Sequence, residues 1–216
     1  TLPQAEWLEY YARRFRSVEV NNTFYRLPPR GTFIQWRERV PADFTFTVKG
    51  SRYITHLKRL GDIATALNRF YQNLSGMGDS CAAVLFQLPP GFTVDIRRFQ
   101  DFLNAVRGPY RLAFEFRDPS WFSEEVYALL RGHNCALCVA DGRFANRWVD
   151  TADFAFYRRH GGQGPGSPLY SADEIEQLAD EVRNHLSSGR EVFVYFNNDY
   201  QGFAVRNALE LADLLA

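Results

Sequence analysis

The stretch Cys81-Ala-Ala-Val-Leu-Phe-Gln-Leu88, stopped by Pro89-Pro90, decides the fold. A near-continuous apolar run of this length, polar only at Gln87, reads as a strand buried on both faces. Such strands belong to parallel sheets, whose partners must be joined by long crossovers, usually helices. The flanking residues supply them. Upstream, Asp62–Leu74 carries Ile63, Leu67, Phe70 and Leu74 at helical spacing; downstream, Asp95 can cap a helix whose Ile96, Phe99, Leu103 and Val106 form one face.

The same alternation continues in both directions. Strands are expected at Val18–Tyr25, Phe44–Ser51, Arg111–Arg117, Cys135–Asp141, Asp153–His160 and Glu191–Asp199. Helices are expected at Ala5–Phe15, at Thr32–Val40, from Ser123 to Leu130, after the Ser171/Glu174 capping box, and at Gly202–Leu215. The connection Gly142–Ala152 leaves room only for a short helix. No G-x-G-x-x-G pattern follows the first strand, which weighs against an open dinucleotide-binding sheet. The reading is α/β: a (β/α)8 TIM-barrel-like fold, residues 1–216 as a single domain, with seven strands visible and the first strand missing. The chain opens on a helix, and one preceding strand would bring the count to eight.

Gross composition narrows the function. With 216 residues and 46% hydrophobic content the chain can bury one sizeable core. Formal net charge is zero, so nucleic acid is an unlikely partner and a membrane surface is not expected. No apolar run nears the roughly 20 residues of a membrane span. Three cysteines make no disulfide framework, which points to a reducing, cytoplasmic setting. Cys135 and Cys138 share a strand, where positions three apart face opposite ways, so neither redox nor zinc use is expected.

Each strand stays apolar along most of its length and turns polar near its carboxyl end, where barrel enzymes build their sites. In chain order those ends carry Glu19, Asn21 and Thr23; Lys49; Gln87; Glu115 and Arg117; Asp141; Arg158 and His160; and Tyr195, Asn197 and Asp199, with Asn198 between the last two. Burying an unpaired carboxylate such as Glu115 costs several kcal/mol, so it needs an ion-pair partner or a ligand. Lysine occurs only at Lys49 and Lys58 among many arginines, and arginine cannot replace an amine nucleophile or proton carrier. Lys49, Glu115 and His160 are the expected catalytic groups, with ion pairing as the bland alternative. His56 is a second imidazole candidate, while His133 and His185 read as ordinary helix residues. The glycine-rich 161–166 stretch fits a phosphate cradle or a plain lid. Trp36, Trp121, Trp148 and Tyr200 could stack on a ligand or simply pack. A metal site can be drawn from Glu19, Glu115, Asp141 and His160, but Lys49, Arg117 and Arg158 would repel a cation. No metal and no other cofactor is expected.

These motifs coincide with a family. The stretches VEVNNTFYRLP (18–28), FTVKGSRYITH (46–56), FQLPPGF (86–92), FEFRDPSW (114–121), RRHG (158–161) and YFNNDYQGFAVRNA (195–208) resemble the YecE-like proteins, the domain of unknown function 72. The resemblance implies a TIM-barrel fold and no established reaction. It also implies an opening strand, with glycine and tryptophan, that this chain does not contain. Its matched polar positions are Glu19, Asn21, Lys49, His56, Gln87, Glu115, Arg117, Trp121, Arg158, His160, Asn197, Asn198 and Asp199. The functional expectation is an enzyme of lyase, isomerase or hydrolase type that moves a proton on a small anionic or polyhydroxylated ligand. In it Arg117, Arg158 and Asn197 hold the ligand and Glu19, Asn21, Gln87, Asp141 and the rest line the pocket. A metal-dependent hydrolase or phosphoesterase and a non-catalytic small-molecule binder are the alternatives.

Overall fold

The computed structural model describes residues 2–106, 108–142, 146–162 and 168–216. The chain divides into two compact units, Thr1–Trp121 and Phe122–Ala216. Seven parallel strands alternate with helices across them, the α/β, TIM-barrel-like class expected from the sequence. Among the described residues no helix is long and apolar enough to cross a membrane.

The first unit holds β1 (Ser17–Val20), β2 (Thr45–Lys49), β3 (Cys81–Gln87) and β4 (Arg111–Glu115), paired in that order. In-register parallel partners point the same way, and side chains alternate along each strand. The pairings Glu19↔Thr47↔Ala83, Lys49↔Leu85↔Ala113 and Gln87↔Glu115 therefore place Glu19, Thr47, Lys49, Gln87 and Glu115 on one face. The opposite face carries Val20, Val48, Val84, Phe86 and Phe114. It is covered by α4 (Ala64–Leu74) and α5 (Ile96–Ala105), whose Phe70, Phe99 and Phe102 meet Phe86 and Phe114 at ring distances of 5.1–6.1 Å. The amphipathic helices thus claim one side of the sheet, and every charge falls on the other.

Two sequence expectations shift here. The first strand ends at Val20 instead of running to Tyr25, because Asn22–Tyr25 turns into a short helix, α2. The buried Thr23 hydroxyl donates to the Lys49 carbonyl at 2.7 Å, a local side-chain bond that competes with strand pairing. Asn21 and Thr23 are therefore not on a common strand face with Glu19. Gly50 lets β2 leave the sheet: a Cβ there would sit 2.5 Å from the Phe86 ring.

The FEFRDPSW segment closes the first unit. Asp118 caps its own turn by accepting from the Ser120 amide and hydroxyl. Ser120 Oγ accepts the Val94 N–H at 2.8 Å, and Trp121 Nε1 donates to the Phe92 carbonyl at 2.5 Å. The Trp121 ring is fully buried, stacked on Phe116 at 4.9 Å. This corrects its expected place as a ligand platform: a ring enclosed by Phe92, Phe99 and Phe116 has no open face.

The second unit holds α6 (Glu124–Gly132), β5 (Cys135–Ala140), β6 (Phe154–Arg159), α7 (Ala172–Ser187), β7 (Glu191–Phe196) and α8 (Phe203–Leu215). Ser123 and the Ser171/Glu174 box cap α6 and α7 as the sequence indicates. One strand face, with Val139, Ala155, Tyr157 and Val194, packs on Ile175, Leu178, Val182 and Leu211 of α7 and α8. The register Ala140↔Arg158↔Tyr195 puts the Arg158 side chain on the other face. The glycine-rich reading falls mainly on 163–166, outside the described residues.

Candidate functional site

In the first unit the polar strand ends share one face of the sheet, with Glu115 at the end of β4. Its carboxylate is almost fully buried and accepts from Arg117 Nε at 2.7 Å. Lys49, also buried, sets its ammonium over the Phe24 ring at 4.6 Å. His56 stands on a π-helical turn, Tyr53–Leu57, and meets Phe24 edge-on at 4.8 Å. Its Nδ1 is 2.9 Å from Thr55 Oγ1, which in turn lies 3.3 Å from the Ser51 carbonyl. A carbonyl only accepts, so both contacts are satisfied when Thr55 donates to Ser51 and Nδ1–H donates to Thr55. That arrangement leaves the His56 Nε2 lone pair available. Beside this group Asn21 Nδ2 donates to Glu19 at 3.0 Å, while its Oδ1 is buried with no hydrogen-bond partner among the described residues.

Burial, reinforced by the positive charges of Lys49, Arg117, Arg52 and Arg59, pushes the His56 imidazole down from 6.5 to about 4. The ring is therefore neutral at physiological pH. Linkage fixes the sign of its effect on stability. The folded state resists the proton that the unfolded chain accepts, so this contribution is complete above pH 6.5 and is lost as pH falls toward 4. An NMR titration of the His56 ring should show a midpoint near 4, and His56→Asn should flatten the acid limb of Tm against pH. A midpoint of 6 to 7 would contradict the burial and charge described above.

The second unit uses several expected site residues as framework. Asp141 accepts the His160 backbone N–H at 2.8 Å and a hydrogen bond from the Tyr170 hydroxyl, and lies 3.9 Å from Arg159. Tyr170 also accepts the Gly161 N–H at 2.9 Å. Asn198 Nδ2 donates to the Pro168 carbonyl and to Asn207 Oδ1, and the strand ends at Phe196, so Asn197 and Asp199 lie beyond the pleat. Asp199 is exposed. Asp141 thus holds His160 and Tyr170, and Asn198 holds Pro168, where ligand-lining roles are expected from the sequence. Asn197 Nδ2 is buried with no hydrogen-bond partner among the described residues. Arg158 is nearly fully buried, and His160 follows β6. Tyr170→Phe should cost about 1–3 kcal/mol in urea unfolding, because the buried carboxylate and the Gly161 amide both lose a partner. A change under about 0.5 kcal/mol, the size of an ordinary surface substitution, would deny Tyr170 that role.

Sequence reasoning missed Tyr170, Arg159, Asn207 and Phe24. For Arg159 the signal was present: the pleat sends successive residues of the Arg158-Arg159 pair to opposite faces. Tyr170 and Asn207 carried none, since their partners lie 29 and 37 residues away. His185, read as an ordinary helix residue, is buried with Nε2 2.8 Å from the Tyr157 hydroxyl. No group of three or more potential metal ligands occurs among the described residues.

Fold and site together define a TIM-barrel-like α/β protein with ionisable groups concentrated at strand carboxyl ends. The chain belongs to the family described as Protein of unknown function DUF72, whose model matches residues 1–216. It is 32% identical to UPF0759 protein YecE of Escherichia coli K12 over 58% of this chain and 47% of that protein, so the match spans about half the relative's length. It is 26% identical to UPF0759 protein YunF of Bacillus subtilis 168, over 96% of this chain and 86% of that one. The crystal structure of a DUF72 family protein from Thermotoga maritima MSB8 is similar with a TM-score of 0.85 and 31% identity, covering 99% of this chain and 90% of that one. A DUF72 family protein from Enterococcus faecalis V583 shares the fold, with a TM-score of 0.82 at 22% identity, covering 98% and 94% of the two chains.

Proposed function

We propose that this chain is an enzyme that binds a small anionic ligand at the carboxyl ends of β1–β4 and moves a proton on it, in a lyase, isomerase or hydrolase type of reaction. The supporting observation is the one-sided sheet: Glu19, Thr47, Lys49, Gln87 and Glu115 share the face opposite the helix-packed one. Lys49, buried at the end of β2, and Arg117, beside Glu115, supply positive charge for an anionic group. Asn21 Oδ1 offers an acceptor to a ligand hydroxyl. Glu115 and Lys49 are the proposed proton carriers, with neutral His56 as a further acceptor. In the second unit, taken by itself, Arg158, His160 and Asn197 at and beyond the ends of β6 and β7 are proposed ligand contacts of that unit alone. The three buried thiols suit the proposed cytoplasmic setting.

The test is a thermal-shift screen of carboxylate and phosphate metabolites, followed by deuterium incorporation from D2O into any stabilising compound. Lys49→Met should weaken binding about 10- to 100-fold, the size of one charge-assisted hydrogen bond. Glu115→Gln should retain binding and stop exchange. A stabilising compound that binds Lys49→Met undiminished would end this reading. One bound normally but never exchanged or converted would make the protein a binder.

A further inference from the structure

A second charged feature of the first unit has a lining that includes none of the strand-end residues. A cleft of about 1220 Å³ opens beside α4, between the chain that follows α2 and the π-helical turn with the residues after it. Its walls carry four cations, Arg26, Arg30, Lys58 and Arg69, against a single carboxylate, Asp62. That carboxylate is already engaged by Lys58 at 3.0 Å. Arg30 spends Nε on Ser75 Oγ at 3.2 Å. Arg26 and Arg69 are exposed and make no ion pair among the described residues.

The imbalance is local. The chain is neutral overall, and several exposed arginines elsewhere have a carboxylate beside them: Arg39 with Glu9, Arg98 with Asp95, Arg183 with Asp180, Arg206 with Glu210. Like charges left together in a concave wall repel one another and focus the potential on anions. Guanidinium forks suit phosphate oxygens, which they can bind bidentately. The volume exceeds what one phosphate needs and lies just above the usual span of drug-sized ligand sites, about 300–1000 Å³. We infer that the cleft lined by Arg26, Arg30, Lys58 and Arg69 binds a small molecule bearing two or more phosphate groups. An inorganic polyphosphate chain and the di- or triphosphate of a nucleotide share this chemistry.

The experiment is calorimetric titration of the whole chain with sodium tripolyphosphate, orthophosphate, AMP and ATP, without divalent cations, at low and physiological salt. Tripolyphosphate should bind at least ten-fold more tightly than orthophosphate and weaken several-fold with salt. Arg26→Gln and Arg69→Gln should each weaken it about ten-fold, whereas Arg183→Gln on α7 should leave it unchanged. ATP ten-fold tighter than tripolyphosphate assigns the nucleotide as the source; equal affinities with weak AMP assign the phosphate chain alone. No binding of tripolyphosphate at millimolar concentration overturns the inference, as does binding untouched in the Arg26→Gln/Arg69→Gln double variant. Lys49→Met separates the two sites. Tripolyphosphate binding that survives it supports the cleft, and binding abolished by it moves the anion to the strand ends and overturns the proposal.

Discussion

Trp121→Ala should lower the unfolding free energy by about 3–5 kcal/mol, the range for removing a large aromatic from a closed core. The side chain is fully buried and touches three other aromatics, Phe92, Phe99 and Phe116, so little of the vacated volume can be refilled. The substitution also strands the Phe92 carbonyl, which accepts from Nε1. Trp121→Phe isolates that second loss and should cost about 1–3 kcal/mol. Urea unfolding followed by circular dichroism measures both. If Trp121→Ala stayed within about 1 kcal/mol of the parent while impairing ligand binding, the ring would be a ligand platform after all, since core truncations of this kind cost more.

Arg117→Met carries the second large effect. It removes the guanidinium from a carboxylate that is only 1% exposed, and one-sided removal from a buried pair typically costs about 3–5 kcal/mol. Arg117 itself keeps part of its surface in solvent, at 24%, which places the expectation at the lower end, about 3 kcal/mol. Glu115→Gln in the same chain should recover part of that loss, because the buried negative charge that Arg117 offset is gone. The resulting coupling energy should reach about 1–3 kcal/mol in a double-mutant cycle. Additive effects would mean that Glu115 draws its compensation from elsewhere and that Arg117 is free to serve a ligand alone.

The two substitutions separate residues that the sequence presents alike. Trp121 and Arg117 sit four positions apart in one motif, FEFRDPSW, and both were candidates for ligand contact. Only one remains beside the buried carboxylate; the other locks the 92–94 segment to the turn after β4. In the second unit, Asp141 and Asn198 are drawn into hydrogen bonds with Tyr170, Pro168 and Asn207.

What the sequence determined by itself was whatever depends on local periodicity. Cys81–Leu88 had to be a buried parallel strand, Ser171 and Glu174 had to start a helix, and alternation had to set Glu115 on the side opposite Phe114. These follow from side-chain spacing along one segment, which neighbours in the chain fix almost alone. The tertiary structure decided which polar residues are engaged and with whom. Hydrogen-bond partners for Asp141, Asn198 and Trp121 come from residues roughly ten to thirty positions away, a separation that no periodicity encodes, and a buried polar group takes whichever partner the packed chain brings to it.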